Sequence, residues 1–306
     1  MDGKQLKRLF LDALDELSTS NKYATQRKAY EYLDWAASIF VRETKILHAK
    51  TTITTVANQQ VYDLPPNFVS LYMTNKNGRF FGKFYDGSNY SFPYLTTYEK
   101  IYKSNQTQSF DYPAKFAIVD KETVDSVITG TTNAAGTLSG GKATLQDTTK
   151  LFTTTNKVYQ RDIVHDTTAD SDGMVISVTG ATQLEVGLFD VETEEPKAIG
   201  NGDAYVIQPA AEYSLVFDCP AGTAGYTLEL PYVCLPEPVY SDYGFWRFNS
   251  RSCRAIAWGA ASIFKLGEKE VTEASQIGGL FADEISRIKK ELGRTRIIEG
   301  NYREVG

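Results

Sequence analysis

The chain holds few side chains able to do chemistry, beginning with only two histidines, His48 and His165. His165 lies among Asp162 and Asp166, the kind of grouping that binds a metal or moves a proton. One histidine with neighbouring carboxylates falls short of the three or four protein ligands that zinc usually takes. His48 is expected to end a helix, where a dipole or solvent role suffices. The run from Asp166 through Asp170 and Asp172 to Gly173 has oxygen ligands before a glycine, as a calcium loop does. Thr179 stands where such a loop needs its glutamate, so the run reads as an Asp-rich turn. Gly136, Gly140, Gly141 and Lys142 come near a phosphate-binding loop, but Ala143 follows the lysine in place of Ser or Thr. Neither a G-x-S-x-G elbow nor a C-x-x-C pair occurs. The expectation is a protein that is not an enzyme, with no catalytic, cofactor-binding or metal-binding residues.

Composition narrows the classes further. A net charge of -6 over 306 residues argues against a protein that grips nucleic acid, which needs a basic face. Cys219, Cys234 and Cys253 are odd in number and unclustered, so a disulfide-framed secreted scaffold is not expected. Phe10 and Leu11 are followed at once by Asp12, Asp15 and Glu16, unlike a signal peptide, and no apolar run reaches a membrane span of roughly 20 residues. The 19 tyrosines and 16 phenylalanines suit either contact surfaces or Tyr-rich strands. Of the tryptophans, Trp35 and Trp258 are expected to pack on helices, and Trp246 falls in a connecting segment.

The elements follow from periodicity. Leu6, Leu9, Phe10, Ala13, Leu14 and Leu17 mark one face of a helix over residues 4–17. A second helix starts at a Thr25 cap and runs to about His48, with Tyr30, Leu33, Ala37, Phe40 and Val41 on its apolar side. Ile53 to Val56, Val61 to Leu64 and Phe68 to Tyr72 are strands, the second stopped by Pro65-Pro66. Asn77-Gly78 and Asp86-Gly87 are turns, residues 96–112 have no clear pattern, and Phe116 to Val119 is a strand. From 125 to 208 the chain is rich in Thr, Gly and Asp, with 12 acidic residues against 5 basic ones. Short β-rich runs recur there at Lys142–Leu145, Val158–Val164, Met174–Val178, Gln183–Val186 and Ala204–Ile207, predicting an inserted all-β barrel or sandwich. Leu215–Phe217 and Tyr226–Leu230 read as a hairpin. A helix carrying Cys253, Ile256, Ala257, Ala260 and Phe264 ends at Gly267. The last, capped by Thr272 and ended by Gly293, buries Ile277, Leu280, Phe281, Ile285, Ile288 and Leu292, and residues 294–306 form a C-terminal tail.

The expected class is therefore α+β. It has a four-helix cluster built from the N- and C-terminal helix pairs, a small antiparallel β region and the inserted all-β domain. The division is 1–124 plus 209–306 for the core domain and tail, and 125–208 for the insertion.

The segment LDWAASIFVRETKIL followed by TTITTVANQQVYDLPPNFVSLYMT resembles the head–tail adaptor (connector) proteins of tailed bacteriophages. The matching positions are Arg42, Glu43 and Thr44, then Ala57 to Gln60, Tyr62, Leu64, Pro65 and Phe68. FDYPAKFAIVD at 110–120, YTLELPYVCLP at 226–236 and the helices at 255–268 and 280–292 extend the likeness over about 1–124 and 210–293. Residues 125–208 depart from the family pattern and resemble the β-modules that phage structural proteins use as decorations or docking sites. The resemblance implies a virion structural protein at the head–tail junction, made in the host cytoplasm and assembled as a ring, usually of twelve copies. Its partners would be the portal protein above and a nozzle or tail-tube protein below, with tail fibres reached through 125–208. DNA would pass through the channel without specific binding, and no membrane is involved. Arg294, Arg296 and Arg303 of the tail are expected to face the portal. The competing readings are another tail component, such as a nozzle or fibre-docking protein, and a receptor- or glycan-binding β-module protein.

Overall fold

A computed structural model describes residues 1–14, 25–72, 82–104, 112–121, 126–242 and 248–302, with the side chains of the last helix described to 292. The Asn77-Gly78 turn, Trp246 and Arg303 lie outside these residues. The fold is α+β, with several antiparallel sheets among the described residues.

Helix α1 (Gly3–Ala13) opens with a capping box, in which the Gln5 N–H donates to Asp2 Oδ1 at 2.8 Å and Gln5 reaches back to the Asp2 N–H. Helix α2 (Gln26–Thr44) starts at Thr25, whose hydroxyl accepts from Lys28 N as the sequence suggested. It stops four residues short of His48 because Lys45 turns left-handed at φ 52°. His48 instead opens β1 (His48–Thr54), so a histidine expected at a helix end lies in a strand. Strands β2 (Val61–Asp63), β3 (Phe68–Leu71), β4 (Lys83–Tyr85), β5 (Tyr90–Ser91) and β6 (Tyr94–Leu95) follow. The Asp86-Gly87 turn forms as expected, with Gly87 at φ 96° and Asp86 Oδ1 accepting from the Ser88 and Asn89 N–H groups. Helix α3 (Tyr98–Ser104) lies within the first part of the unpatterned stretch, and β7 (Lys115–Asp120) matches the expected strand.

Strands β8 (Ile128–Thr131), β9 (Ala143–Gln146), β10 (Ile163–Asp166), β11 (Ser171–Gly180), β12 (Gln183–Asp190) and β13 (Ala204–Gln208) form one antiparallel sheet in the order β8-β13-β10-β11-β12-β9. Most of Val158–Val164 is loop: Asp162 ties the bend down by accepting from the Tyr159 and Ala210 N–H groups. The sheet curls around Leu145, Phe152, Val164, Val175, Leu188 and Ile207. Its edges approach where Asn133 N, just past β8, donates to Gln146 O at the end of β9 at 2.9 Å.

Strands β14 (Tyr213–Phe217) and β15 (Thr227–Cys234) are not a hairpin. β14 joins a sheet of order β2-β14-β7-β6, and β15 joins another of order β1-β15-β4-β5, with β3 also on β15. The reason is visible in β14, where four consecutive residues, Ser214 to Phe217, are buried. Leu215 and Phe217 face the other sheet, while Val216 sits with Ile101 of α3 and Ala117. A strand covered on both faces belongs inside a layered stack, not at the rim of one hairpin. Ile53, Tyr62, Phe84, Phe116, Leu228 and Leu230 fill the space between the two sheets. β7 and β14 pair antiparallel, and Lys121 N to Glu212 O (2.9 Å) extends that ladder toward β8 and β13, which also pair with each other.

Helix α4 (Ser250–Gly267), capped by Asn249, packs against α1, α2 and α5 (Val271–Tyr302). Gly259 permits a close approach to α5, since a Cβ there would meet the Phe281 ring at 2.9 Å. Phe10, Leu33, Phe40, Ile256, Phe264 and Ile285 share one core. Trp258 packs partly against it, but Trp35 is 57% exposed and Leu280 49%, against expectation. α5 starts before Thr272 and runs through Gly293 to Tyr302, so most of the expected tail is helix. An internal glycine costs a helix only about 1 kcal/mol, less than its flanking turns can offset.

The curled sheet is seated on α2. Arg161 lies at φ 80° with its guanidinium buried, forking onto Asp34 at 2.6 and 2.9 Å and donating to Pro236 O at 3.0 and 3.2 Å. Arg27 pairs with Asp172 at 2.8 Å, Thr25 bonds Glu194, and Tyr30 donates to Asp242. Ile176 and Phe189 enter the helical core across the same contact. Arg161→Met alone, which strands a buried carboxylate, is expected to cost about 3–5 kcal/mol in urea unfolding. Arg161→Met with Asp34→Leu should recover most of that loss, because the orphan charge is gone.

Candidate functional site

The carboxylates around His165 do not converge. Asp166 Oδ1 accepts from the Thr168 and Ala169 N–H groups of its own turn, Asp172 turns to Arg27, and Asp162 holds the loop before β10. Asp170 sits in the turn at φ 49°, as an Asp-rich turn would have it. Among the described residues no group of three or more His, Cys, Asp or Glu side chains suits a metal ion. Gly140 and Gly141 form a tight turn leading into a strand, whereas a phosphate loop leads into a helix. Lys142 pairs with Glu185 at 3.3 Å, and Gly140 O accepts from Asp242 N.

The residues that carry the family likeness are structural in position. Leu64 and Phe68 are buried between the sheets, Phe68 against Tyr232 and Tyr213 with ring centroids 5.5 and 5.6 Å apart. Pro65 O accepts from Phe68 N and turns the chain between β2 and β3. Tyr62 is buried to its hydroxyl, which meets Val56 N and O, both at 3.2 Å, and Gln59 O at 3.0 Å. Arg42 and Glu43 stay near the surface, Arg42 3.5 Å from Glu212 and Glu43 paired with Lys289 of α5. Arg294 and Arg296 lie on the backbone of α5.

Two surface features had no assigned place in the sequence reading. One is a group of exposed rings, Tyr90, Phe92, Tyr94, Tyr98, Tyr102 and Tyr112, running from β5 through α3. Tyr90 lies against Tyr85 with ring centroids 4.7 Å apart, beneath Lys83, and Ile101 anchors α3 inward as the buried one among its described side chains. The aromatic runs were visible in the sequence, but their exposure was not. The other is a cleft of ≈ 690 Å³ between β1 and β2 on one side and residues 126–129 and 150–159 on the other. Its lining is mostly polar, with Thr51, Thr52 and Thr54 facing Thr129, Thr153 and Thr155. Among the described residues it holds no histidine or cysteine, and its acids Asp63 and Asp162 are already satisfied, Asp63 by Lys121 at 2.9 Å.

No protein-family model matches the chain, and no curated protein matches it significantly.

Burial, with the neighbouring Asp203 carboxylate adding to it, raises Asp166 above the usual carboxylate value against the pull of its turn N–H groups. Asp166 Oδ2 is buried without a donor. The folded chain thus holds this proton more firmly than the unfolded chain does. That contribution is full below the ordinary carboxylate value and is lost as pH rises through the raised one. Asp166→Asn keeps an acceptor for the turn and offers an N–H toward Asp203. It should raise the melting temperature at pH 7 and leave it nearly unchanged at pH 4.

Proposed function

We propose that this chain is a head–tail adaptor of a tailed phage, a ring-forming virion part that docks beneath the portal and leaves a channel for DNA. The observation that carries the reading is the joining of the chain's two halves in one helical core. Residues of α1, α2, α4 and α5 share it, in the order the family resemblance implies. In this reading those helices are the four-helix cluster of the ring wall, and residues 125–208 are an inserted β domain held against it. The buried Tyr62, Leu64 and Phe68 account for the family pattern as a folding signature, with Arg42 and Glu43 tying the end of α2 to Glu212 and to α5.

The exposed rings from Tyr90 to Tyr112 suit contacts between copies or with a tail protein, since aromatic surface is enriched where proteins meet. A closed ring needs two different faces to meet head to tail, and exposed rings can serve such contacts. α5 would carry Arg294 and Arg296 toward the portal, with Arg303 just beyond. A chain of net charge -6 favours few counterion-releasing contacts with passing DNA.

The test is electron microscopy and native mass of the purified chain, alone and with portal rings. A ring of the portal's symmetry, seated on the portal, is expected. A chain that ignores portal rings, or particles that mature and infect without it, ends the reading. Within it, Phe92→Ser with Tyr102→Ser should weaken ring assembly while shifting chain stability by no more than about 0.5 kcal/mol, as exposed substitutions do. Replacing Arg294, Arg296 and Arg303 together by Glu should abolish portal binding and leave the ring itself intact.

A further inference from the structure

The cleft between β1 and β8 is walled by strand edges. Each wall contributes consecutive residues, 51–54 from β1 and 126–129 from the approach to β8. Consecutive residues of a strand point to opposite faces, so a wall that shows all of them shows its backbone edge. Among the described residues both strands end their sheets, β1 beside β15 and β8 beside β13.

The ladder registers identify which groups are bare. Thr55 N donates to Tyr226 O, and Leu47 O accepts from Cys234 N, so the odd-numbered residues of β1 bond to β15. Lys50, Thr52 and Thr54 therefore turn their N–H and C=O outward. The next outward residue, Val56, is closed off by the Tyr62 hydroxyl on both its N–H and its C=O. Thr132 N donates to Asp203 O, so β8 turns Thr129 outward in the same way. Thr52, Thr54 and Thr129 all line the cleft, and none of their outward backbone groups has a partner among the described residues. Exposed edges are ordinarily blunted by charge, proline or a bulge. Here β8 carries neither charge nor proline, and the charge on β1, Lys50, is engaged by Glu229 at 3.0 Å.

Charge selects the occupant. Asp63 is paired with Lys121 and both carboxylate oxygens of Asp162 are taken by backbone N–H groups, while Lys150 and Lys157 line the cleft with no ion pair among the described residues. We infer that the cleft takes an extended segment of a partner protein, added as a strand to the β1 edge at Thr52 and Thr54, with acidic side chains that meet Lys150 and Lys157. Main-chain hydrogen bonds supply the affinity in such an addition and side chains the selectivity. This does not rest on the adaptor reading, since it requires neither a ring nor a portal.

The probe is a fluorescein-labelled peptide of about ten residues alternating Val and Glu, enough to span one strand, titrated with the full chain by fluorescence anisotropy. Saturable binding is expected, with no binding by a Val–Lys peptide of the same length. Thr52→Pro removes an outward N–H that no ladder bond uses, which an edge strand tolerates. It should weaken the Val–Glu peptide by at least about tenfold while the chain melts as before. Lys150→Glu with Lys157→Glu should do the same without touching the strand, and it decides the matter should Thr52→Pro fail to fold. Lys100→Glu on α3 should bind as the unchanged chain does. Absence of saturable binding, equal binding of the Val–Lys peptide, or full binding by either cleft variant overturns the inference. So does concentration-dependent self-association that Thr52→Pro abolishes, because a second copy then fills the edge.

Discussion

The fork of Arg161 on Asp34 is the contact on which the arrangement of this molecule turns. It joins the loop before β10 to the middle of α2, and the same guanidinium holds the Pro236 carbonyl of the segment crossing back to the last helices. Three stretches far apart in sequence thus meet at one charge. Arginine suits the place because its planar fork satisfies a carboxylate and a carbonyl together. The left-handed backbone at Arg161 is a cost accepted where the surrounding bonds over-determine it. Asp162, the next residue, lines the cleft, so the pair that seats the curled sheet also sets one wall of that opening.

A second constraint is the economy of strand edges. Tyr62 lies in the core by its ring and at an edge by its hydroxyl, and it ends the free run of β1 by occupying Val56. One side chain thereby serves packing and termination together. Its burial raises its phenol above the ordinary value against the opposing pull of the hydrogen bond with the Val56 backbone, so it stays protonated throughout the neutral range.

Much of this was legible in the sequence, and the rest was not for identifiable reasons. The apolar stripes of α2 and α4 are real, since Leu33, Phe40, Ile256 and Phe264 are all buried, and the Thr25 cap and the Asp86-Gly87 turn obey local rules. Local rules failed where tertiary contacts decide. Nothing near Leu215 says that β14 and β15 part into different sheets, because α3 is what covers the second face of β14. Gly293 reads as a stop only if glycine always ends a helix, and α5 continues through it. Leu280 sits on an apolar stripe yet is exposed, since the partner helix covers a narrower face than the stripe offers. The cleft and its bare edges could not be read at all, for they exist only once two sheets from distant parts of the chain stand side by side. Of the family-pattern residues, Leu64 and Phe68 are packing groups and Arg42 and Glu43 are ion-pairing groups, roles that the motif string alone does not state.

The ladder of β7 with β14 runs on, through Lys121 and Glu212, toward that of β8 with β13. For an unfolded chain, joining Lys121 to Glu212 means closing a loop of roughly ninety residues, an entropic penalty that grows with the logarithm of its length. Once β8 has found β13, the same closure spans only the few residues on either side of the neck. The order of events during folding is thereby biased: the curled sheet zips first, and the sandwich then closes behind it as though the long excursion were a short turn.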